Sequence, residues 1–395
     1  MRLKQLASVL ILSTLLLNAA DNSALLSTLK QDKLDIDKKK NELESDNLKY
    51  DWIEQIKGSY SYTNSGVSGE TKETNLFSVT LDQPIFKSGG IYYGIQYSGA
   101  NREFLRLTTK LNEQTLVKSA ILALLNIKKL DFQIQRQNAL IENAKIDIMR
   151  KKEQYESGLI DSSFLDTAIL NKNGYGKALI DMQSSRYSAL MNFKSISDFE
   201  YSSIIPPSFT MLEKSDYLDK SLIIKQQDMN SKKAEHLKEM TIANYLPTVS
   251  LFAGYYDSSI KQGGIDENYN TFGVKISMPL IDVNRGRTIE VKQLEYMKSK
   301  LELADTKIQE SNIYQDYVKK IEFLNKKIDL AVNDANLYDS LLFSTKELFK
   351  AGEKTIYDVN TLEYSQKTMI LDKKIYEVDV QLALLELYAK MSGEI

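Results

Sequence analysis

Apolar and polar positions alternate along "FSVTLDQPIFKSGG" (77 to 90) and again along "FGVKISMPLIDVNR" (272 to 285). In the first stretch Phe77, Val79 and Leu81 fall on one face, and Ser78, Thr80 and Asp82 on the other. In the second, Phe272, Val274, Ile276 and Met278 alternate with Gly273, Lys275 and Ser277. A period of two marks a half-buried strand. Each stretch then meets a proline, Pro84 or Pro279, with no N–H to give to a ladder. The two prolines are read as strand-to-helix junctions where pairing ends.

Beyond each junction the period changes. Ile127, Ile134, Ile141, Ile148 and Tyr155 recur every seven residues, as do Ile321, Ile328, Ala335, Leu342 and Phe349. A seven-residue apolar repeat predicts left-handed helix supercoiling. No glycine or proline interrupts the chain between Gly99 and Gly158, or between Gly286 and Gly352. Those are the residues that cost most inside a helix, so both runs predict long helices. "YESG" (155 to 158) and "FKAG" (349 to 352) end the two seams in the same register. By itself the periodicity is equally that of a plain coiled-coil rod.

The chain thus reads as a duplication: a first structural repeat over 21–205 and a second of the same plan over 206–395. Each repeat predicts an opening helix (22 to 50; 212 to 244) and two strands (about 52 to 63 and 75 to 86; about 248 to 258 and 269 to 281). A long helix follows (about 95 to 157; about 287 to 351), then a glycine turn and a return helix (about 163 to 200; about 355 to 391). At 1.5 Å per residue the long helices run roughly 90 to 100 Å. The prior for this length is two ordinary domains; the spacing of the breakers overrides it. The fold class is therefore mostly α with membrane β: duplicated strand hairpins and long coiled-coil helices.

The predicted strands have the length of tilted transmembrane β-strands. Their loops, "NSGVSGETKE" and "SSIKQGGIDEN", are polar, and Tyr60, Tyr62, Tyr255 and Tyr256 lie near them, where an interfacial aromatic girdle belongs. A soluble four-stranded sheet is the competing reading. In lipid, four strands cannot close a barrel, and an open edge is not tolerated. Several copies must then combine, and a homotrimer supplies twelve strands.

Composition narrows the function. Residues 1 to 20 carry Arg2 and Lys4, an apolar run from Leu6 to Leu17, and Asn18-Ala19-Ala20. This is the pattern of a cleavable signal peptide, and the run is too short to span a bilayer; a buried N-terminal helix is the alternative. There is no cysteine, which excludes a disulfide framework and thiol chemistry. Acidic residues outnumber basic ones, 53 to 51, which argues against a nucleic-acid partner.

No catalytic constellation emerges, and the protein reads as a non-enzyme needing no cofactor and no metal. His236 is the only histidine and sits in a polar helical run, where a solvated face is the ordinary placement. "GYG" at 174 to 176 lacks the further glycine and preceding strand of a phosphate loop.

Taken together, the duplicated "VTLDQPIFKSGG" and "VKISMPLIDVNRG", the "YLPTVSL" lead-in to the second hairpin, and the helix-reversing "SGLIDSSFLD" and "AGEKTIYDVN" resemble the TolC-like outer-membrane efflux channel family. The resemblance covers essentially the whole chain after the signal. It implies a homotrimer with a twelve-stranded β-barrel in the bacterial outer membrane, continuous with a long periplasmic α-helical barrel. It implies an export duct of a tripartite efflux or type I secretion system, engaged by a periplasmic adaptor (membrane fusion protein) and an inner-membrane transporter.

By the same resemblance Ser157, Gly158, Leu159, Ala351, Gly352 and Glu353 form the periplasmic tip turns and the adaptor-docking surface. Asp161, Asp166, Glu353 and Asp358 are candidates for an acidic ring at the pore entrance, which would select cations. Near a turn, Asp is also commonly a helix cap. Arg150, Lys151, Lys152, Lys350 and Lys354 are candidates for inter-helix bridges at the tips. Asp166 lies eight residues past its glycine and Asp358 six past its own, which suggests a small insertion in the first tip. The competing function is a periplasmic coiled-coil structural or adaptor protein. An adaptor needs a further domain between its helical halves, however, and a rod has no use for amphipathic strand pairs.

Overall fold

The structure, a computed structural model, describes residues 22–67, 70–260 and 265–393. The segment read as a signal peptide, residues 1 to 20, lies outside these. In chain order the elements are α1 (Thr28–Tyr50), β1 (Lys57–Val67), β2 (Glu70–Phe86), α2 (Gly90–Glu156) and α3 (Ser162–Lys194). Then follow α4 (Lys214–Lys220), α5 (Leu222–Ala243), β3 (Thr248–Ile260), β4 (Ile265–Ser277), α6 (Arg285–Lys350) and α7 (Ile356–Tyr388). The breaker-free runs form most of helices of 67 and 66 residues, α2 and α6, the first of which also runs through Gly94 and Gly99, and the return helices α3 and α7 hold 33 residues each.

The chain forms two compact units, each drawing on both halves of the sequence. One takes residues up to Leu34, Leu111–Leu222 and those from Gln309 onward; the other takes Asp35–Lys110 and Ile223–Ile308.

In the first unit the core gathers Leu25 and Leu26 from the N-terminal turn, Ile121 and Leu124 from α2, Phe193 from α3 and Leu385 from α7. The heptad seam behaves as its period requires. Ile127, Ile141, Ile321 and Leu342 are buried, and only Tyr155 and Phe349, at the glycine turns, are exposed.

A polar cluster seals the other end of α7. Tyr217 donates its hydroxyl to the buried carboxylate of Glu310, and Lys390 Nζ reaches the same carboxylate at 3.0 Å. Burial first, and the Glu310 carboxylate second, hold the Tyr217 phenol well above its ordinary range. Tyr217→Phe removes one donor and leaves a buried carboxylate under-paired. It is expected to cost about 1 to 3 kcal/mol, read as a lower thermal-unfolding midpoint; an unchanged midpoint would show the bond to be idle.

The sequence predicts one helix over 212 to 244, and the structure breaks it. Ser221 leaves helical geometry (ψ 117°) and pairs as an isolated bridge with Met391. Leu222 N–H donates to the Lys390 carbonyl at 2.9 Å, and Ser392 N–H to the Lys220 carbonyl at 3.0 Å. Gln114 Nε2 donates to the Met391 carbonyl from α2. The break comes from this long-range clasp, which no local glycine or proline announces.

In the second unit a four-stranded antiparallel meander, ordered β1-β2-β3-β4, joins the helices. Helices α1 and α2 approach closely through small residues: Ser98 Oγ donates to the Ser45 carbonyl at 2.6 Å, and both serines are buried. The strands extend further toward their loops than the sequence predicts. Asn64–Val67 pair with Glu70–Glu73, and Ser258–Ile260 with Ile265–Glu267, so most of both expected loops is ladder.

Pro84 lies inside β2, and pairing with β3 continues past it to Phe86 through a register shift. The β1 ladder has already ended at Thr80, so the missing N–H is accommodated beside a bulge. Pro279 lies beyond the last residue of β4. The expectation that both prolines end the pairing is corrected for Pro84. His236 is half-buried rather than solvated, with its ring 6.4 Å from that of Tyr93 and its Nδ1 unpartnered.

Candidate functional site

The sheet has two unlike faces. Register places Tyr60 beside Phe77, Val79 beside Tyr255, Ala253 beside Phe272, and Leu251 beside Val274. This face is apolar and uncovered: Phe272 is 87 % exposed and Ile276 73 %. The apolar run continues past the strand, with Leu280 and Ile281 also exposed. A contiguous apolar patch of this kind marks a membrane or protein contact. Among the described residues no helix is long and apolar enough to cross a membrane.

The opposite face carries Ser59, Ser78, Thr80, Asp82, Ser250 and Lys275. Ser59 and Ser78 share a hydrogen bond of 2.8 Å. Three aromatics also lie here, which the sequence reading missed. A Cβ on Gly273 would stand 2.8 Å from the Phe252 ring, and one on Gly254 would stand 2.7 Å from the Tyr256 ring. Each ring lies over a glycine, and Tyr256 stacks on Tyr269 at 4.9 Å. Tyr256 is therefore not part of an outward girdle with Tyr255, because neighbouring strand residues point to opposite faces. Tyr60, Tyr62 and Tyr255 do lie exposed on the apolar face.

The two glycine turns share one geometry. Gly158 has φ 72° and Gly352 φ 80°, in the left-handed region that glycine enters without a Cβ penalty. Leu159 N–H reaches back to the Gln154 carbonyl at 2.8 Å and Glu353 N–H to the Leu348 carbonyl at 2.9 Å. Gly158 and Gly352 each donate to the carbonyl three residues earlier. This is the Schellman termination that satisfies the last helical carbonyls. Leu159 and Glu353 are both exposed, as are Ser157 and Ala351.

The next helices start in step. Asp161 caps α3, its carboxylate accepting from Ser163 N–H at 2.9 Å. Thr355 caps α7 in a capping box, with Asp358 accepting from Thr355 N–H at 3.0 Å. Each cap stands three residues past its glycine, so there is no insertion in the first turn, and the position matching Asp358 is Phe164. The apparent offset arose from aligning Asp358 with Asp166, an exposed residue further into α3. Hydrogen bonds from backbone N–H groups, Ser163 for Asp161 and Thr355 for Asp358, hold both carboxyls below the ordinary aspartate range.

The structure brings the end of α2 onto the start of α7. Arg150 bridges to Asp358 at 3.2 Å, and the Tyr357 hydroxyl donates to Glu153 at 3.2 Å. Just above, Lys346 of α6 meets Glu363 of α7 at 2.7 Å. Of the other basic candidates, Lys151, Lys152 and Lys350 pair within their own helices, with Asp147, Glu156 and Glu347. The Glu153–Tyr357 link was not legible, since nothing in one sequence marks a tyrosine as a donor across helices.

No protein-family model and no curated protein matches the chain in sequence. Solved structures do match its fold. The outer membrane protein VceC from Vibrio cholerae superposes with a TM-score of 0.74 at 14% identity, covering 94% of this chain and 95% of that one. The Campylobacter jejuni CmeC outer membrane channel gives 0.73 at 14% identity, over 95% and 85% of the two chains. The open state of the Neisseria gonorrhoeae MtrE outer membrane channel gives 0.66 at 11% identity, over 93% and 86%. The chain shares the fold of these outer-membrane channels, which is the fold the TolC-like resemblance implied.

Proposed function

We propose that this chain is the outer-membrane export duct of a tripartite efflux or type I secretion system. It is a passive channel rather than an enzyme. Three copies close a twelve-stranded barrel in the bacterial outer membrane, continuous with a periplasmic α-helical barrel. The chain is two repeats of one plan, 21–205 and 206–395. The observation that carries this reading is the open-edged four-stranded sheet whose apolar face is uncovered, Phe272 being 87 % exposed. An isolated sheet of that kind is a poor solution in water and an impossible one in lipid; repetition around an axis removes both edges. Support for a second copy also comes from α6, where Phe323, Leu330 and Leu337 recur every seven residues at 59 %, 61 % and 60 % exposure. Such a stripe is the unpaired half of a coiled-coil seam.

In this reading the turns at Gly158 and Gly352 are the periplasmic tips that dock an adaptor, which links the duct to an inner-membrane transporter. Asp161, Asp166, Glu353 and Asp358 lie at the entrance, with Asp161 and Asp358 also serving as caps. The Arg150–Asp358 and Tyr357–Glu153 links hold the resting tip together, the ion pair contributing about 0 to 1 kcal/mol as pairs open to water do. The test is extraction and mass. Membranes washed with salt should release the protein only into detergent, as a particle of three chains. A chain found soluble without detergent, or monodisperse as a monomer with its β signal intact, overturns the reading in favour of a periplasmic rod.

A further inference from the structure

The polar face of the sheet is not evenly charged along its length. At the end nearest the helices it carries Lys57 on β1, Asp82 on β2 and Lys275 on β4. Lys57 pairs with Thr80, two residues before Asp82, so all three side chains rise from one face. Asp82 stands opposite Phe252, and Lys275 opposite Ser250, so Asp82 and Lys275 are two strands apart with β3 between them. That gap is roughly 10 Å at ordinary strand spacing, most of the reach of a lysine. Lys275 nevertheless spans it and donates to the Asp82 carboxylate.

The crossing is possible because Ser250, beneath it, is small and lies 3 % exposed. The pair stays open to water, at 47 % and 49 % exposure, and Lys57 is exposed beside it. Among the described side chains of this face, the next charge is Glu267, near the loop end of β4. The helix-proximal belt therefore holds two cations against one anion, and its lysine tip is fixed in place by Asp82.

We propose that Lys57, Asp82 and Lys275 form an electropositive collar at the foot of the barrel, which favours small anions and anionic solutes over cations. The inference rests on the trimeric-barrel reading above, in which this face lines the lumen. There the belt repeats three times around a narrow path, and each copy leaves one positive charge in excess. Charges of one sign lining a narrow, low-dielectric path focus the field on whatever passes. Lys57 supplies the excess, and the Asp82 tether keeps the Lys275 ammonium from folding away along the wall.

The experiment is reversal potential across planar bilayers in a potassium chloride gradient, with the trimeric state of each variant checked by mass in detergent. The quantity read is the shift between variants, since acids elsewhere on the path act on all of them. The double variant Lys57→Gln, Lys275→Gln is expected to lower the chloride-to-potassium permeability ratio at least about twofold at low salt, fading as salt screens the charges. Asp82→Asn is expected to raise the ratio, and Lys275→Arg to leave it unchanged. Conducting channels whose ratio does not move, or moves in the same direction for the lysine and aspartate variants, overturn the collar and leave the pore standing. Trimeric wild-type protein with no conductance overturns the pore reading and the collar with it.

Discussion

Gly352→Val is expected to assemble as a trimer and insert in the membrane, yet to lose export. The reason is local. At φ 80° the backbone is left-handed, and an added Cβ would meet open space, with nothing within 4 Å. The penalty is therefore one of backbone conformation rather than collision, about 1 to 2 kcal/mol for an ordinary side chain and more for a β-branched one. It falls on a turn whose Glu353 N–H closes the last helical carbonyls and whose next residues cap α7. Relaxing φ breaks that bond and moves the capping box with it. Gly352→Asn, which tolerates the left-handed region, should keep most export. The check is an export assay in cells lacking the native channel, alongside trimer mass and surface protease protection. Full export by the valine variant would remove the docking role proposed for this turn.

Arginine at Val274 or Ile276 is expected to impair membrane insertion; both flank Lys275 toward the helix end of β4, so the cost falls between the about 2 to 4 kcal/mol of a midplane site and the about 0 to 1 kcal/mol of an interfacial one. Both residues lie on the uncovered apolar face, at 64 % and 73 % exposure, so steric crowding cannot explain the loss. Ser277→Arg is the control. It lies next to Ile276 in sequence but on the polar face, opposite Thr248, and should be the milder change. The measurement is the fraction of protein recovered as detergent-resistant trimer in outer-membrane fractions. Equal tolerance on the two faces would mean that neither meets lipid.

Much of the architecture could be read from single residues, because it depends on local rules. Glycine-free runs bounded by Gly99 and Gly158, and by Gly286 and Gly352, became α2 and α6 because nothing in them opposes a helix. Phe77, Val79 and Leu81 found one face of a strand because the period is two. Where the reading failed, the cause was a pairing or a register that composition in one window does not show. Ser221 breaks a helix through its pairing with Met391. The β1–β2 ladder runs on to Val67 because Glu70 faces it, although Gly, Ser and Thr there suggest a loop. Asp166 looked like the twin of Asp358 until the caps fixed the register, since both are acids just beyond a turn. The polar-face rings went unseen because a strand's polar face was read for polar residues alone.

The clasp between Ser221 and Met391 also bears on when the chain can fold. In the unit built around it, residues far apart in sequence must meet. Thr28 and Asp198 are 170 residues apart, Lys118 and Glu386 are 268, and Gln114 and Met391 are 277. Each such contact closes a long loop before it returns any stability, which makes assembly slow and late. The Glu310 carboxylate lacks its cation until Lys390 arrives, and the Gln114 amide N–H lacks its acceptor until Met391 arrives. A chain emerging from its N-terminus can thus wind its long helices early but cannot lock this unit. The lock is supplied by Lys390 and Met391, which emerge after every residue they join, so this unit stays pliable until they arrive.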